Sequence, residues 1–560
     1  MDEKPWLKKY DRGVPAHIDY PDLTVFGLLE SVAKQLPDAP CTIFKGALIT
    51  YKQMDQITDC LAAGLAELGV KKGDRVGLYM PNIPQFIMAF YAASKIGAVV
   101  VCFNSLYTAR EVEYQAKDSG IEVMILSSNF YKLVKQIQSK TDIRTIVVTN
   151  LKETLPPAVK ILFTLFVEKK GGHRVELASG DVWMKDLFAR HKPEDRPNVV
   201  VTPDDFAILQ YSGGTTGVPK GAIGLHRNMV ANAYQLRTWM ADAENGKEVF
   251  LMAIPLFHVY GLIAGMMFAL CTSSVMVMVP NPRDIKDLLK NLQKYRATVF
   301  PGVPTLFNAI NHHPDVRSGK VNLRTLKACI CGSAPLMRET KEDFEKYSGV
   351  RLMEGYGLSE TPTATHCNPE LGEHRVGSIG LPLPDVECRI VDLDDGVTDL
   401  PVGSIGELLL KAPQVFHGYH NMPTETANAL RDGWLYTGDI ARMDEDGFFY
   451  IVDRKKELIK PGGYQVWPRE VEEVISAHPK VREVGVAGVP DPYRGETVKA
   501  WIVSEENETL TIEEIVTWCK DRMAKYKVPT EIEFRSELPK TTVGKVLRRE
   551  LVRQHKGDGS

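Results

Sequence analysis

One stretch constrains the chain more than any other: residues 211–221 read YSGGTTGVPKG. Four of these eleven residues are glycine, three (Ser212, Thr215 and Thr216) carry aliphatic hydroxyls, and Pro219 and Lys220 close the run. An apolar segment at 206–209 precedes it and predicts a short buried strand, while a helical pattern opens near His226. Gly213, Gly214 and Gly217 let backbone N–H groups close around an anion; the hydroxyls add donors and Lys220 adds positive charge. The stretch is therefore expected to cradle phosphate. It is not a Walker loop, because Pro219 stands where the glycine before the lysine is needed and Gly221 follows the lysine. An ordinary glycine-rich surface turn is the competing reading.

Around this loop, helical and strand patterns alternate. Residues 24–36, 51–68, 84–96 and 111–119 have helical periodicity, and 75–80, 98–103 and 123–126 read as strands. A second such series runs over 207–409, and 386–392 and 406–410 add β-rich structure. Beyond Asp453 the pattern changes to a charged helix at 469–475, strands at 483–489 and 498–503, and a helix at 511–525. With 560 residues, more than one domain is required. The expected fold class is α/β: a large N-terminal domain (1–452) of helix-covered sheets with a β-rich subdomain, then a small α+β C-terminal domain (453–560).

A net charge of −3 gives no reason to expect nucleic acid as partner. The nine cysteines include no CxxC pair, which points to a reducing cytoplasm rather than a disulfide or metal framework. The first thirteen residues mix both charge signs without an apolar core, so no secretory signal is expected there. Residues 249–280 contain no Asp, Glu, Lys or Arg, yet Pro255, His258, Gly261 and Gly265 interrupt them. A buried helix and a buried strand explain this segment better than a membrane span. Residues 155–167 (LPPAVKILFTLFV) are too short to span a bilayer but, flanked by lysines, can rest on one; packing on the parent domain is the alternative.

Further motifs carry chemistry. Turns at 300–304 and at Gly332, Ser333, Ala334 and Pro335 close apolar strands, where α/β folds place ligands. Residues 354–361 read EGYGLSET: Gly355 and Gly357 permit close backbone approach, Tyr356 offers a ring for stacking, and Glu360 is a hard oxygen ligand suited to Mg²⁺ beside phosphates. Asp439, in WLYTGD, is an acid at a turn, suited to ribose hydroxyls, and Arg454 and Lys456 lie in the charged run that opens the small domain. Lys545 follows a glycine turn in PKTTVGK. Taken singly, these are also ordinary turn acids and solvated lysines.

As an ordered set they resemble one family. YSGGTTGVPKG, EGYGLSET, WLYTGDIA, IVDRKKELIKPGGYQV and PKTTVGKVLRREL are similar to the motifs of the adenylate-forming acyl-CoA synthetases, which include luciferases and the adenylation domains of peptide synthetases. MPNIPQF, FNSLYTAREVEYQ, IPLFHVYGL, NPRDI and VGSIGLPLPDVECRIVD look most like bacterial long-chain fatty-acid–CoA ligases. The resemblance implies two steps: a fatty acid and ATP give acyl-AMP and pyrophosphate, then CoA displaces AMP. It implies Lys545 as the catalytic residue, Ser212 to Gly217 and Lys220 on the β- and γ-phosphates, and Mg²⁺ on Thr215 and Glu360. Gly332 to Pro335 with Gly355, Tyr356 and Gly357 would wall the adenine, Ser359 would touch the α-phosphate, and Asp439 with Arg454 would hold the ribose. Lys456 matches a hinge about which the small domain swings, and His258 and Gly463 border the acyl and CoA channels. Some long-chain enzymes carry a tryptophan gate four residues past this histidine; Leu262 stands there, so chain length stays open. An aryl-acid ligase is the nearest rival. A peptide-synthetase module is expected to adjoin a carrier domain, which the residues up to Ser560 do not supply. A homodimer and peripheral contact with the inner face of a membrane remain open.

Overall fold

The structure is a computed structural model, and it describes residues 4–212, 219–461, 464–505, 508–541 and 544–557. It separates into two compact units. The larger comprises Trp6–Glu387 with Lys411–Arg431, and the smaller Met1–Pro5, Cys388–Leu410 and Asp432–Ser560.

In the larger unit, local signals set the elements. Thr24 caps the helix Val25–Gln35 by accepting the Gly27 N–H at 3.2 Å. Thr50 and Gln53 form a reciprocal capping box on the helix Tyr51–Glu67. Apolar β-branched runs form the strands. One sheet places Val99–Cys102, Arg75–Tyr79, Val123–Ser127 and Thr145–Thr149 in parallel, and Phe206–Ser212 pairs parallel with Val99–Cys102. It continues antiparallel through Lys220–Leu225 to Gly418–Tyr419. In the other sheet Val275–Met278, Val249–Met252, Val299–Gly302, Ala328–Cys331 and Leu352–Leu358 run parallel, and Thr363–Cys367 returns antiparallel. The helix Pro84–Lys95 is buried along its whole length, which is why its sequence is apolar on every face.

The charge-free segment is core, as its prolines and glycines required. It holds the strand Val249–Met252, a buried π-helix Tyr260–Met267 running into Phe268–Cys271, and the strand Val275–Met278. Among the described residues no helix is long and apolar enough to cross a membrane.

The smaller unit has an antiparallel sheet in which Gly406–Lys411 pairs with Trp434–Met443, and Trp434–Met443 with Phe449–Arg454. It also has a sheet of Val481–Asp491, Gly495–Ser504 and Glu531–Phe534, flanked by the helices Pro468–Ser476, Ile512–Lys520 and Arg548–Gly557. The helix expected over 511–525 stops at Lys520, and a separate 3-10 turn spans Lys525–Lys527.

Candidate active site

The strands Phe206–Ser212 and Lys220–Leu225 form an antiparallel hairpin with Ser212 opposite Lys220. Its tip, with Gly213, Gly214, Thr215, Thr216 and Gly217, and the Ser212 side chain, lies outside the described residues. Both ends are pinned. The Tyr211 hydroxyl donates to Asp118 at 2.5 Å, and the Tyr114 hydroxyl donates to the Pro219 carbonyl at 3.2 Å. Gly221 packs closely here, since a Cβ there would lie 3.0 Å from the Tyr211 ring.

Lys220 is largely buried, ion-paired with Glu425, and held with its ammonium 5.1 Å above the Tyr419 ring. The Tyr419 hydroxyl in turn donates to Glu360 Oε1 at 2.6 Å. One tyrosine thus joins the lysine of the phosphate loop to the carboxylate expected to bind metal. Sequence reading missed Tyr419 and Glu425. Their segment, HGYHNMPTE at 417–425, offers only a Gly-Tyr pair and an acid in the first turn of the helix Pro423–Ala429.

Gly355, Tyr356 and Gly357 lie within the strand Leu352–Leu358, against which Thr363–Cys367 pairs back. Tyr356 faces His366 with ring centres 5.8 Å apart. A Cβ on Gly357 would collide with the Thr363 carbonyl, so glycine alone permits this pairing. The turn falls at 359–362 and carries Ser359 and Glu360, both half-buried. Gly332 follows the neighbouring parallel strand, its N–H donating to the Gly302 carbonyl at 3.2 Å, and a Cβ on it would lie 3.5 Å from the Gly355 carbonyl oxygen. Ser333 takes a left-handed φ of 71°, turning itself and Pro335 to the surface with Ala334 half-buried between them. The structure therefore brings 332–335 and 355–357 together.

His258 stands just before the buried π-helix, where its Nδ1 accepts the Tyr260 N–H at 3.2 Å. Burial lowers its pKa to about 4, so the ring is neutral at pH 7.

In the smaller unit, Asp439 is 2% exposed and stands opposite Arg454 in the strand pair, with an ion pair between their side chains. Lys545 closes a tight turn: its N–H donates to Thr541 Oγ1 at 3.1 Å and its carbonyl accepts the Thr541 N–H at 2.8 Å. Burial and the Arg454 cation hold its ammonium below the usual lysine range, while Glu457 and Asp439 pull the other way. The structure thus brings Asp439, Arg454 and Lys545 within one electrostatic neighbourhood. Lys456 is exposed in the 3-10 turn Lys455–Glu457. Gly463 lies outside the described residues. Arg548 is mostly buried: it bonds Glu472 at 2.5 and 2.9 Å, Asp453 at 2.9 Å, and Glu457.

Of the groups that could hold a cation, Glu360 supplies one half-buried carboxylate oriented by Tyr419, which fits a Mg²⁺ that takes its remaining ligands from phosphate and water. The acidic cluster of Glu30, Asp55 and Asp59 is different in kind. Lys95 bonds Asp55 and Asp59 at 2.6 and 2.7 Å and Arg196 bonds Glu30 and Asp59, so protein cations already neutralise it.

Residues 29–420 match the AMP-binding enzyme family, and residues 470–545 match the AMP-binding enzyme C-terminal domain. The chain is 40% identical over 559 residues to a long-chain-fatty-acid–CoA ligase of Bacillus subtilis, covering 99% of this chain and 98% of that one. It is 39% identical to the corresponding Yersinia pestis ligase, with 98% of each chain covered. In fold it is similar to ATP-bound MatB from Rhodopseudomonas palustris, with a TM-score of 0.82, 27% identity, and 96% of this chain and 100% of that one covered. The chain therefore belongs to the AMP-binding enzyme family, and within it to the long-chain-fatty-acid–CoA ligases.

Proposed function

We infer that this protein converts a fatty acid to its acyl-CoA in two steps. A carboxylate oxygen attacks the α-phosphorus of ATP, forming acyl-AMP and expelling pyrophosphate. The CoA sulfur then attacks the acyl carbon, losing its proton, and the acyl–O bond to AMP breaks. Joining two anions in the first step calls for concentrated positive charge at the reacting oxygens. The observation that carries this reading is Lys545, whose half-buried ammonium lies in the same electrostatic neighbourhood as the ion pair of buried Asp439 with half-buried Arg454.

Lys545 bridges the carboxylate and α-phosphate oxygens during adenylation, and Asp439 with Arg454 holds the ribose. Lys220, with Ser212 to Gly217, takes the β- and γ-phosphates. Glu425 already occupies Lys220 as an anion, and incoming phosphate takes its place. Gly332 to Pro335 and Gly355 to Gly357, with the Tyr356 ring, wall the adenine, and Ser359 meets the α-phosphate. Glu360 and Thr215 hold Mg²⁺, which when bound neutralises phosphate charge. Resemblance to an ATP-bound relative supports ATP as the nucleotide. The domain from Asp453 onward turns about Lys456 for the second step, with His258 and Gly463 bordering the acyl and CoA path. The apolar helix Tyr260–Met267, buried throughout, supplies a wall for an alkyl chain.

A pyrophosphate-release assay across saturated fatty acids of graded length, with benzoate and cinnamate alongside, tests this. Turnover should require CoA for completion, depend on Mg²⁺, and favour long alkyl chains. Turnover on aryl acids alone would replace the fatty-acid assignment with an aryl-CoA ligase.

A further inference from the structure

The helix Pro157–Leu162 and its π-helical continuation Phe163–Val167 are apolar on two sides, and the fold uses only one. Val159 and Phe163, one turn apart, are half-buried, and the Phe163 ring packs 5.5 Å from that of His173. The other side presents Ile161, Leu162, Leu165, Phe166 and Val167, which are 61, 56, 69, 65 and 46% exposed. Among the described residues no other window of seven carries more than two exposed large apolar side chains. A water-facing helix surface in a globular domain is ordinarily polar, so five such residues within seven positions mark an interaction surface.

The surrounding charge identifies what it meets. Lys160, Lys169, Lys170 and Arg174 are exposed around the patch, whereas Glu168, the one acid between residues 155 and 174, is buried and bonded to Lys152 at 2.5 Å. Within residues 155–174 the exposed charge is thus wholly cationic, in a protein whose net charge is −3. Apolar side chains rimmed by lysine and arginine on a helix too short to span match the headgroup–acyl boundary of an anionic bilayer.

We propose that residues 157–170 dock this protein onto the surface of an anionic lipid bilayer, with Ile161, Leu162, Leu165 and Phe166 entering the interface and Lys160, Lys169 and Lys170 meeting lipid phosphates. The proposal stands apart from the acid the enzyme prefers, because it rests on exposed side chains and their charge alone.

Co-sedimentation of the full chain with vesicles tests it. The protein should pellet with phosphatidylglycerol–phosphatidylcholine vesicles and less with phosphatidylcholine alone, and rising salt from about 0.1 M to about 0.5 M should weaken binding. L165S/F166S should abolish pelleting. K169Q/K170Q should weaken it by about thirtyfold on anionic vesicles, since each basic residue near such a surface contributes a comparable increment. Both variants should keep the wild-type thermal midpoint, because the altered side chains are exposed. The proposal is overturned if the wild type stays in the supernatant with all vesicles, or if L165S/F166S pellets as the wild type does. It is equally overturned if light scattering finds a wild-type dimer that L165S/F166S dissociates while vesicle binding is unchanged, which would assign the patch to a second copy.

Discussion

Lys545 shows how one side chain acquires a role through its surroundings. A surface lysine is solvated and featureless, but this one sits where burial and Arg454 disfavour its charge and Asp439 and Glu457 partly restore it. A bound anion would complete that balance. Lys545→Ala should lower acyl-AMP formation by roughly two to three orders of magnitude, the scale of losing a transition-state charge partner. Thioester formation from supplied acyl-AMP should persist, and equal loss in both half-reactions would sink the assignment. Tyr419 makes the complementary case for a residue acting through another. Tyr419→Phe keeps a ring beneath Lys220 and removes only the bond to Glu360. Losing a hydrogen bond to a charged group costs about 1.5 kcal/mol, so the Mg²⁺ concentration for half-maximal adenylation should rise roughly tenfold. An unchanged Mg²⁺ titration would mean that Glu360 is oriented by other means.

At the scale of elements, the strand Phe449–Arg454 and the helices beginning at Pro468 and Arg548 are tied through one guanidinium. Arg548 gathers Asp453, Glu457 and Glu472, and Asp453 also accepts the Arg469 N–H at 2.7 Å. Burial holds the Glu472 carboxyl above its usual range, and the Arg548 guanidinium opposes that shift. Removing one partner of a buried cluster leaves the others uncompensated. Arg548→Ala should destabilise the smaller unit by about 3 kcal/mol, read as a lower midpoint in urea with the larger unit's transition unchanged. Because Asp453 and Glu457 flank Lys456, the same variant should slow adenylation more than thioester formation. If both half-reactions and the urea midpoint stay at wild-type values, the cluster is only a solvated charge group.

For the whole molecule, pH reports on burial. His226 and His366 are fully buried, and burial lowers their pKa values to about 4 and about 3. His226 Nδ1 accepts the Val25 N–H at 3.1 Å, a bond that a protonated ring cannot accept. Between these values and the ordinary 6.5, the unfolded chain binds more protons than the folded one, so stability rises with pH. Stability should fall as pH drops below about 6.5, by up to about 1.4 kcal/mol per pH unit for each buried ring, and level off near pH 4 for His226. Thermal midpoints measured from pH 7.5 to 5 check this; a flat profile would contradict the burial of neutral rings. Much of the molecule was legible beforehand because its determinants are local. Thr24 and Thr50 cap helices within three residues of themselves, and the apolar run at 206–209 forms the strand expected there, buried from Ala207 onward. The prolines and glycines of 249–280 excluded a membrane span for the same reason. The amino-acid order alone therefore determined the α/β class and singled out Lys220, Glu360, Asp439 and Lys545 as candidates. Only the tertiary structure decided that Glu425 sits on Lys220, that Tyr419 orients Glu360, that Gly357 lies inside a strand, and that Arg548 is buried. The partners of Lys220, Tyr419 and Arg548 lie 205, 59 and up to 95 positions away, and no local preference encodes such distances; Gly357 lies in a strand because Thr363–Cys367 pairs back against it. The exposed face at 161–167 is likewise decided by tertiary structure, because an apolar helix reads the same in sequence whether the domain covers it or leaves it to water.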